Sequence, residues 1–246
     1  MTLETLQVHE AYVLPYLQHD YRRKSLERLV QDYVTGKKIL DIRCLTGQLA
    51  VDLILKGFSV TGLDAHPKGV ELANRHARKH GINRDIARLW DLAHLLEAVG
   101  AERFDAVICL DVLNHVEDDA QAIRQVAQVL VDGGRVVIAA PAFPSLYGKR
   151  DRMLGHQRRY TQRGIRELLE RHGLQIHYRR YWNLLGLLPY ILVERILNTE
   201  IPERLRYGRH GSLPNRLLRW WYMTIENRVP FPIGLTHFVV AEKRAP

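Results

Sequence analysis

Cysteine is nearly absent: Cys44 and Cys109 are the only two in 246 residues. Two thiols cannot form the network of bridges that holds small secreted domains together. Both fall at the ends of apolar, strand-like stretches, where cysteine behaves as a small hydrophobe, so two reduced core thiols are expected. Long apolar runs are missing too. The longest, from Trp182 to Val193, holds about 12 residues with Pro189 inside it, whereas a membrane span needs about 20. Glu4, His9 and Glu10 interrupt the N-terminal stretch that a secretory signal would need, and a cytoplasmic location is the default expectation. No His/Cys cluster has metal-ligand spacing, so no metal is expected. No Ser/His/Asp nucleophile arrangement stands out. The first turn lacks G-x-G-x-x-G, which counts against a nicotinamide-dependent dehydrogenase. Internal repeats and low-complexity linkers are also lacking.

Acidic residues are the smaller share of the charge, 27 against 36 basic, for a formal charge of +9. Such an excess favours an anionic partner: nucleic acid, a phosphorylated substrate or an acidic membrane surface. Basic loops on an ordinary soluble protein give the same balance. No RNA-binding signature accompanies the charge, and no nucleic-acid partner is expected.

What the chain does have is a regular alternation of strands and helices. Residues 1–36 read as helical, with Leu26, Leu29, Val30 and Val34 on one face and Gly36 as the stop. Then follow a strand in KKILDI, a helix in GQLAVDLILKG, a strand in FSVTGLD and a helix in PKGVELANRHARKHG with proline in its first turn. DIARLWD, FDAVICLD and RVVIAAP read as three more strands, and DDAQAIRQVAQVLVDGG as a helix with acids at its start and glycines at its end. The run FDAVICLD is apolar enough for a strand buried on both faces. Alternation of this kind argues for a doubly wound α/β sheet with its ligand edge at the strand carboxyl ends. The reading is one domain over 1–246: a helical segment at 1–36, a core at 37–182, a helical insertion at 183–230 and a final strand at 235–243.

Five segments in order resemble the class I S-adenosylmethionine-dependent methyltransferases. LDIRCLTGQLA is similar to that family's glycine-rich first motif, LD-x-G-x-G-x-G. VTGLDAHPKGVELA, WDLAHL, FDAVICLDVLNHVED and VLVDGGRVVIAAPA resemble the segments that follow it, and LGHQRRYT with LLERHGL resembles a bacterial small-molecule methyltransferase subgroup. The resemblance implies a Rossmann-like, seven-stranded sheet, mostly parallel with the last strand antiparallel. It implies S-adenosylmethionine as cofactor, held by Asp41, Arg43, Leu45, Gly47, Asp64, Ala65, Asp91, Leu92 and Leu110. A helix N-terminus after the first strand offers unpaired N–H groups to such a ligand. Asp64 follows Asp41 at roughly the 20-residue distance at which related folds place their ribose-binding acid. Asp91 reads either as the adenine-side acid or as a helix N-cap.

Two family glycines are replaced, by Arg43 and Leu45. A side chain held at positive φ is strained by roughly 1–2 kcal/mol, and one that intrudes on ligand space costs about 1–3 kcal/mol. Arg43 admits opposed readings: it pairs with a ligand carboxylate, repels a sulfonium, or turns to solvent. His115, His156 and Tyr160 are the catalytic or acceptor-contact candidates, with Arg158 and Arg159 as candidate anion binders. The alternatives are a packing histidine and a solvated basic loop. Residues 182–225 mix arginine with tryptophan and tyrosine, and read as a membrane-surface contact, a dimer contact or an ordinary core-facing helix. The function expected is methyl transfer to a small molecule or a glycan or lipid precursor. The alternative is a methyltransferase fold that has lost that reaction and serves another, or serves as a binding partner.

Overall fold

A computed structural model describes residues 21–90, 94–197, 199 and 213–244. The chain divides into two compact units. A sheet unit comprises Val30–Ala140, Gln162–Arg179 and the chain from Phe238 onward, and a helical unit comprises the chain up to Leu29, Pro141–Thr161 and Arg180–His237.

Seven strands form one sheet: β1 (Lys38–Ile42), β2 (Ser59–Asp64), β3 (Ala87–Leu89), β4 (Phe104–Leu110), β5 (Leu130–Pro141), β6 (Leu174–Trp182) and β7 (Thr236–Lys243), in the order β3-β2-β1-β4-β5-β7-β6. Pairings from β3 through β5 are parallel; β7 runs antiparallel between β5 and β6. This is the Rossmann-like arrangement expected. The order reverses between β1 and β4, and a crevice at such a reversal is where open α/β sheets take ligands. Every residue of β4 except Asp105 is buried, as a strand covered on both faces requires.

Helices α1 (Tyr21–Gln31), α2 (Gln48–Leu55), α3 (Pro67–Lys79), α4 (Leu95–Val99) and α5 (Asp119–Val129) precede β5. The expected first helix is present from Tyr21 but ends at Gln31, five residues before Gly36, and residues 1–20 lie outside the described part. Helix α5 starts as read, with Asp118 capping the Gln121 N–H at 2.8 Å. It stops at Val129 rather than at the glycines, because Leu130 turns extended, pairs with Phe104 and is buried, while Lys243 Nζ donates to its carbonyl. Burying leucine against the sheet outweighs one more turn of helix. Both cysteines are buried free thiols, as expected. Burial, and then the Asp41 carboxylate, push the Cys109 thiol above its ordinary range, so it does not act as a nucleophile.

Asn74 in α3 does a job the sequence pattern hides. Its Oδ1 accepts the N–H groups of Ile86 and Ala87, and its Nδ2 donates to the Ala87 carbonyl. The side chain thus completes the pairing of the short strand β3 and ties it to the helix. Asparagine is a poor helix former, and the three bonds offset that cost.

In the helical unit, α6 (Lys149–Met153) follows β5; α8 (Leu184–Pro189) and α9 (Leu213–Trp220) each run on into π-helical turns, Tyr190–Ile196 and Trp221–Glu226. Pro189, with no N–H to give, sits at the first of these joins. Helix α7 (Gln162–Glu170) belongs to the sheet unit. No helix among the described residues is long and apolar enough to cross a membrane.

Candidate functional site

The turn between β1 and α2 keeps the backbone of a glycine motif with only the last of its three glycines. Arg43, Leu45 and Gly47 have φ of 64°, 54° and 69°. All three are left-handed, the conformation glycine adopts without strain. The turn stays bonded to β2, with Arg43 and Cys44 both donating to the Leu63 carbonyl at 2.7 and 3.0 Å. Only at the third position does space forbid a side chain: a Cβ on Gly47 would lie 2.8 Å from Cβ of Ala73 in α3. At the first two positions the left-handed backbone itself strains a side chain by roughly 1–2 kcal/mol each. That difference explains why Gly47 is the glycine that stays.

Arg43 does not turn to solvent. Its Nη1 donates to the carbonyl of Asp111 at 2.9 Å, joining the turn after β1 to the turn after its sheet neighbour β4. Asp111 itself has φ of 54° and donates its N–H to Ala139 at 2.9 Å. The Leu45 side chain is buried. Its N–H donates to Asp64 Oδ2 at 2.8 Å, while Asp64 Oδ1 accepts the His66 N–H at 2.9 Å. Asp64 therefore stands at the carboxyl end of β2 as a buried acid that holds the first turn in place. Trp90, just past β3, donates its backbone N–H to the Asp64 carbonyl.

Asp41, Arg43, Leu45, Gly47, Asp64, Ala65, Leu110 and His115 thus gather at the carboxyl ends of β1, β2 and β4. His115 lies in the turn after β4, its N–H bonded to the Val112 carbonyl. Asp91 and Leu92 fall outside the described residues, and helix α4 begins at Leu95 with His94 in the cap position. The sequence reading missed Asn114 beside His115. It is fully buried, and neither Oδ1 nor Nδ2 has a hydrogen-bond partner. The indole N–H of Trp90 is likewise buried without one. A buried amide left so costs about 1–3 kcal/mol. The edge therefore carries acids, unsatisfied polar groups and a helix N-terminus, a donor and acceptor set that fits a nucleoside.

The helical unit holds a second cluster. Asp151 in α6, 1% exposed, accepts Arg159 Nε on both oxygens at 2.9 Å, His156 Nδ1 at 2.9 Å, the Gly148 N–H at 2.9 Å and the Tyr190 hydroxyl at 3.1 Å. Burial alone raises the carboxyl; the His156 bond and the Arg159 guanidinium overcome it and bring it down to about 2. An ionised carboxylate only accepts, so His156 must carry its proton on Nδ1, and in the neutral ring the lone pair sits on Nε2. Arg159 also donates to the Ala142 carbonyl and to the Tyr190 hydroxyl, and its guanidinium lies 4.7 Å from the Tyr190 ring centroid. This overturns the reading of Arg159 as an anion binder and of the segment as a solvated basic loop: the cation is neutralised inside the protein. The signal was there, since Asp151 is the one acid between Lys149 and Arg159. Tyr160 is buried, and its carbonyl accepts from Phe143 N–H and His237 Nε2, each at 3.0 Å. Burial lowers His237 to about 4, against the pull of that bond, so the ring is neutral near pH 7. No His/Cys/Asp/Glu group suited to a metal ion occurs among the described residues.

With this geometry in view, residues 34–173 match the sequence profile of the methyltransferase-domain family. The chain belongs to the class I methyltransferase family. A ubiquinone biosynthesis O-methyltransferase of Stutzerimonas stutzeri is 35% identical over 103 residues, 42% of this chain and 44% of that protein. The methyltransferase chain thus spans less than half the length of this curated relative. Among solved structures, the YcgJ protein of Bacillus subtilis superposes with a TM-score of 0.61 at 20% identity, over 91% of this chain and all of that one. Magnesium protoporphyrin IX methyltransferase of Synechocystis PCC 6803, solved with bound S-adenosylmethionine, gives 0.53 at 19% identity over 90% of this chain and 77% of that one. These two likenesses concern the fold.

Proposed function

We propose that the chain is an S-adenosylmethionine-dependent methyltransferase acting on a small molecule or a glycan or lipid precursor, with its cofactor held more weakly than a full glycine motif would hold it. The supporting observation is the β1–α2 turn, which keeps left-handed backbone at all three motif positions and is pinned to Asp64. In this reading Asp64 takes the ribose hydroxyls, the first N–H groups of α2 face the polar end of the cofactor, and Leu110 and Trp90 supply apolar walls. S-adenosylmethionine supplies a methyl carbon already activated toward a nucleophile, so the protein's task is mainly to position the acceptor. The likeness to ubiquinone biosynthesis O-methyltransferases supports a hydroxyl acceptor, which benefits from a base. His115, at the carboxyl end of β4, is our first choice for that base. His156 and Tyr160, the other two candidates, lie in the helical unit.

A second reading rests on Arg43 and Leu45: the chain has abandoned methyl transfer and serves another reaction or a partner. Calorimetric titration of the purified chain separates the two. The methyltransferase reading expects S-adenosylmethionine to bind in the micromolar range or somewhat more weakly. An absence of heat at millimolar cofactor would overturn it.

A further inference from the structure

Helix α8 and its π-helical continuation are anchored on one side by buried Leu187, Tyr190 and Glu194. The opposite side is apolar as well. Leu185, Leu188, Leu192 and Ile196 recur at helical spacing and are 38–67% exposed. An outward face of a surface helix is ordinarily polar. Helix α9 repeats the pattern: Leu213, Leu217 and Trp220 are each more than half exposed. The two helices meet at one end, where Asn183 and Leu184 donate their N–H groups to Glu226 and Tyr222 donates its hydroxyl to Asn183.

The charges on these helices have one sign outside. Arg216 and Arg219 are exposed on α9. The carboxylates among the described residues of both helices, Glu194 and Glu226, are buried. Apolar side chains flanked by guanidinium groups, with no outward acid, match an anionic bilayer surface, where the apolar groups enter the acyl boundary and the arginines meet phosphate. A second copy of the chain is a poorer match. A two-fold contact would set the same arginines of both copies near one another, in a protein of formal charge +9.

We infer that the outward faces of α8 and α9 seat the protein on anionic membrane surfaces. The inference stands independently of the methyl-transfer reading. It is tested by co-sedimenting the full chain with phosphatidylcholine vesicles, with and without phosphatidylglycerol. Binding is expected to rise at least about tenfold with the anionic lipid and to weaken with added salt. Trp220 emission should shift to the blue on binding, and Trp220→Phe should remove that shift. Leu188→Asp with Leu217→Asp replaces outward side chains; the far-ultraviolet spectrum is expected to stay the same and vesicle binding to be lost. Failure to bind phosphatidylglycerol vesicles overturns the inference. So does a dimer in solution that the double variant disperses, because the faces would then cover each other.

Discussion

Asp151→Ala is expected to remove about 3–5 kcal/mol of stability, the usual loss when one partner of a buried ion pair is deleted. A whole domain commonly has about 5–15 kcal/mol to lose, so urea unfolding should show a large fall in midpoint. The size follows from what the carboxylate holds: Arg159, His156, Tyr190 and the first turn of α6 all bond to it. Should the alanine variant fail to accumulate, Asp151→Asn keeps the shape and still strands the Arg159 charge. Combining it with Arg159→Met removes both charges, and this double variant is expected to be more stable than Asp151→Asn alone. A double variant no better than the single one would mean that the pair is not what stabilises the segment. The pH dependence has two windows. The Asp151 carboxyl is lowered from 3.8 to about 2, so its contribution is complete above about 4 and is lost as pH falls through 2. His237 is lowered from 6.5 to about 4 because burial disfavours its charge. Its contribution is complete above 6.5 and fades as pH falls to about 4, by about 3 kcal/mol. His237→Gln should flatten the upper window, and Asp151→Asn the lower one.

Returning Arg43 and Leu45 to glycine should tighten S-adenosylmethionine binding by roughly one to two decades for each position, if each side chain costs the ligand about 1–3 kcal/mol. Stability should not rise in step. Leu45→Gly relieves roughly 1–2 kcal/mol of left-handed strain, but it gives up the burial of a leucine, about 1.5–3 kcal/mol, and loosens the unfolded chain. Arg43→Gly loses the bond to the Asp111 carbonyl while relieving similar strain. Melting temperatures are therefore expected to stay level or fall while affinity climbs, and a calorimeter and a thermal melt read the two separately. Equal affinity in parent and double variant would show that neither side chain reaches the ligand.

The sheet was legible because its signals are periodic and local. Apolar strand runs, helix spacing and glycine stops marked β1 to β5 and the final strand β7. The end of α5 was misread because Leu130 pairs with Phe104, a contact that no local pattern reveals. Asn74 was missed for the same reason: its partners, Ile86 and Ala87 at the start of β3, lie more than ten residues away. At the site, residues fixed by backbone position were placed easily, since strand ends set them. Side-chain destinations were not. Arg43 had three readings, and its bond to a carbonyl on a neighbouring turn was none of them. Arg159 looked like a free cation until the fold buried it against Asp151.

The proposed function requires the edge formed by β1, β2 and β4 to accept a nucleoside despite two bulky side chains in its first turn. The decisive measurement is a crystal structure of the chain soaked with S-adenosylhomocysteine. Density for an adenosyl group with its ribose hydroxyls on the Asp64 carboxylate is the result expected. Coordinates in which the Leu45 side chain occupies that place, with no ligand beside Asp64, would contradict the claim.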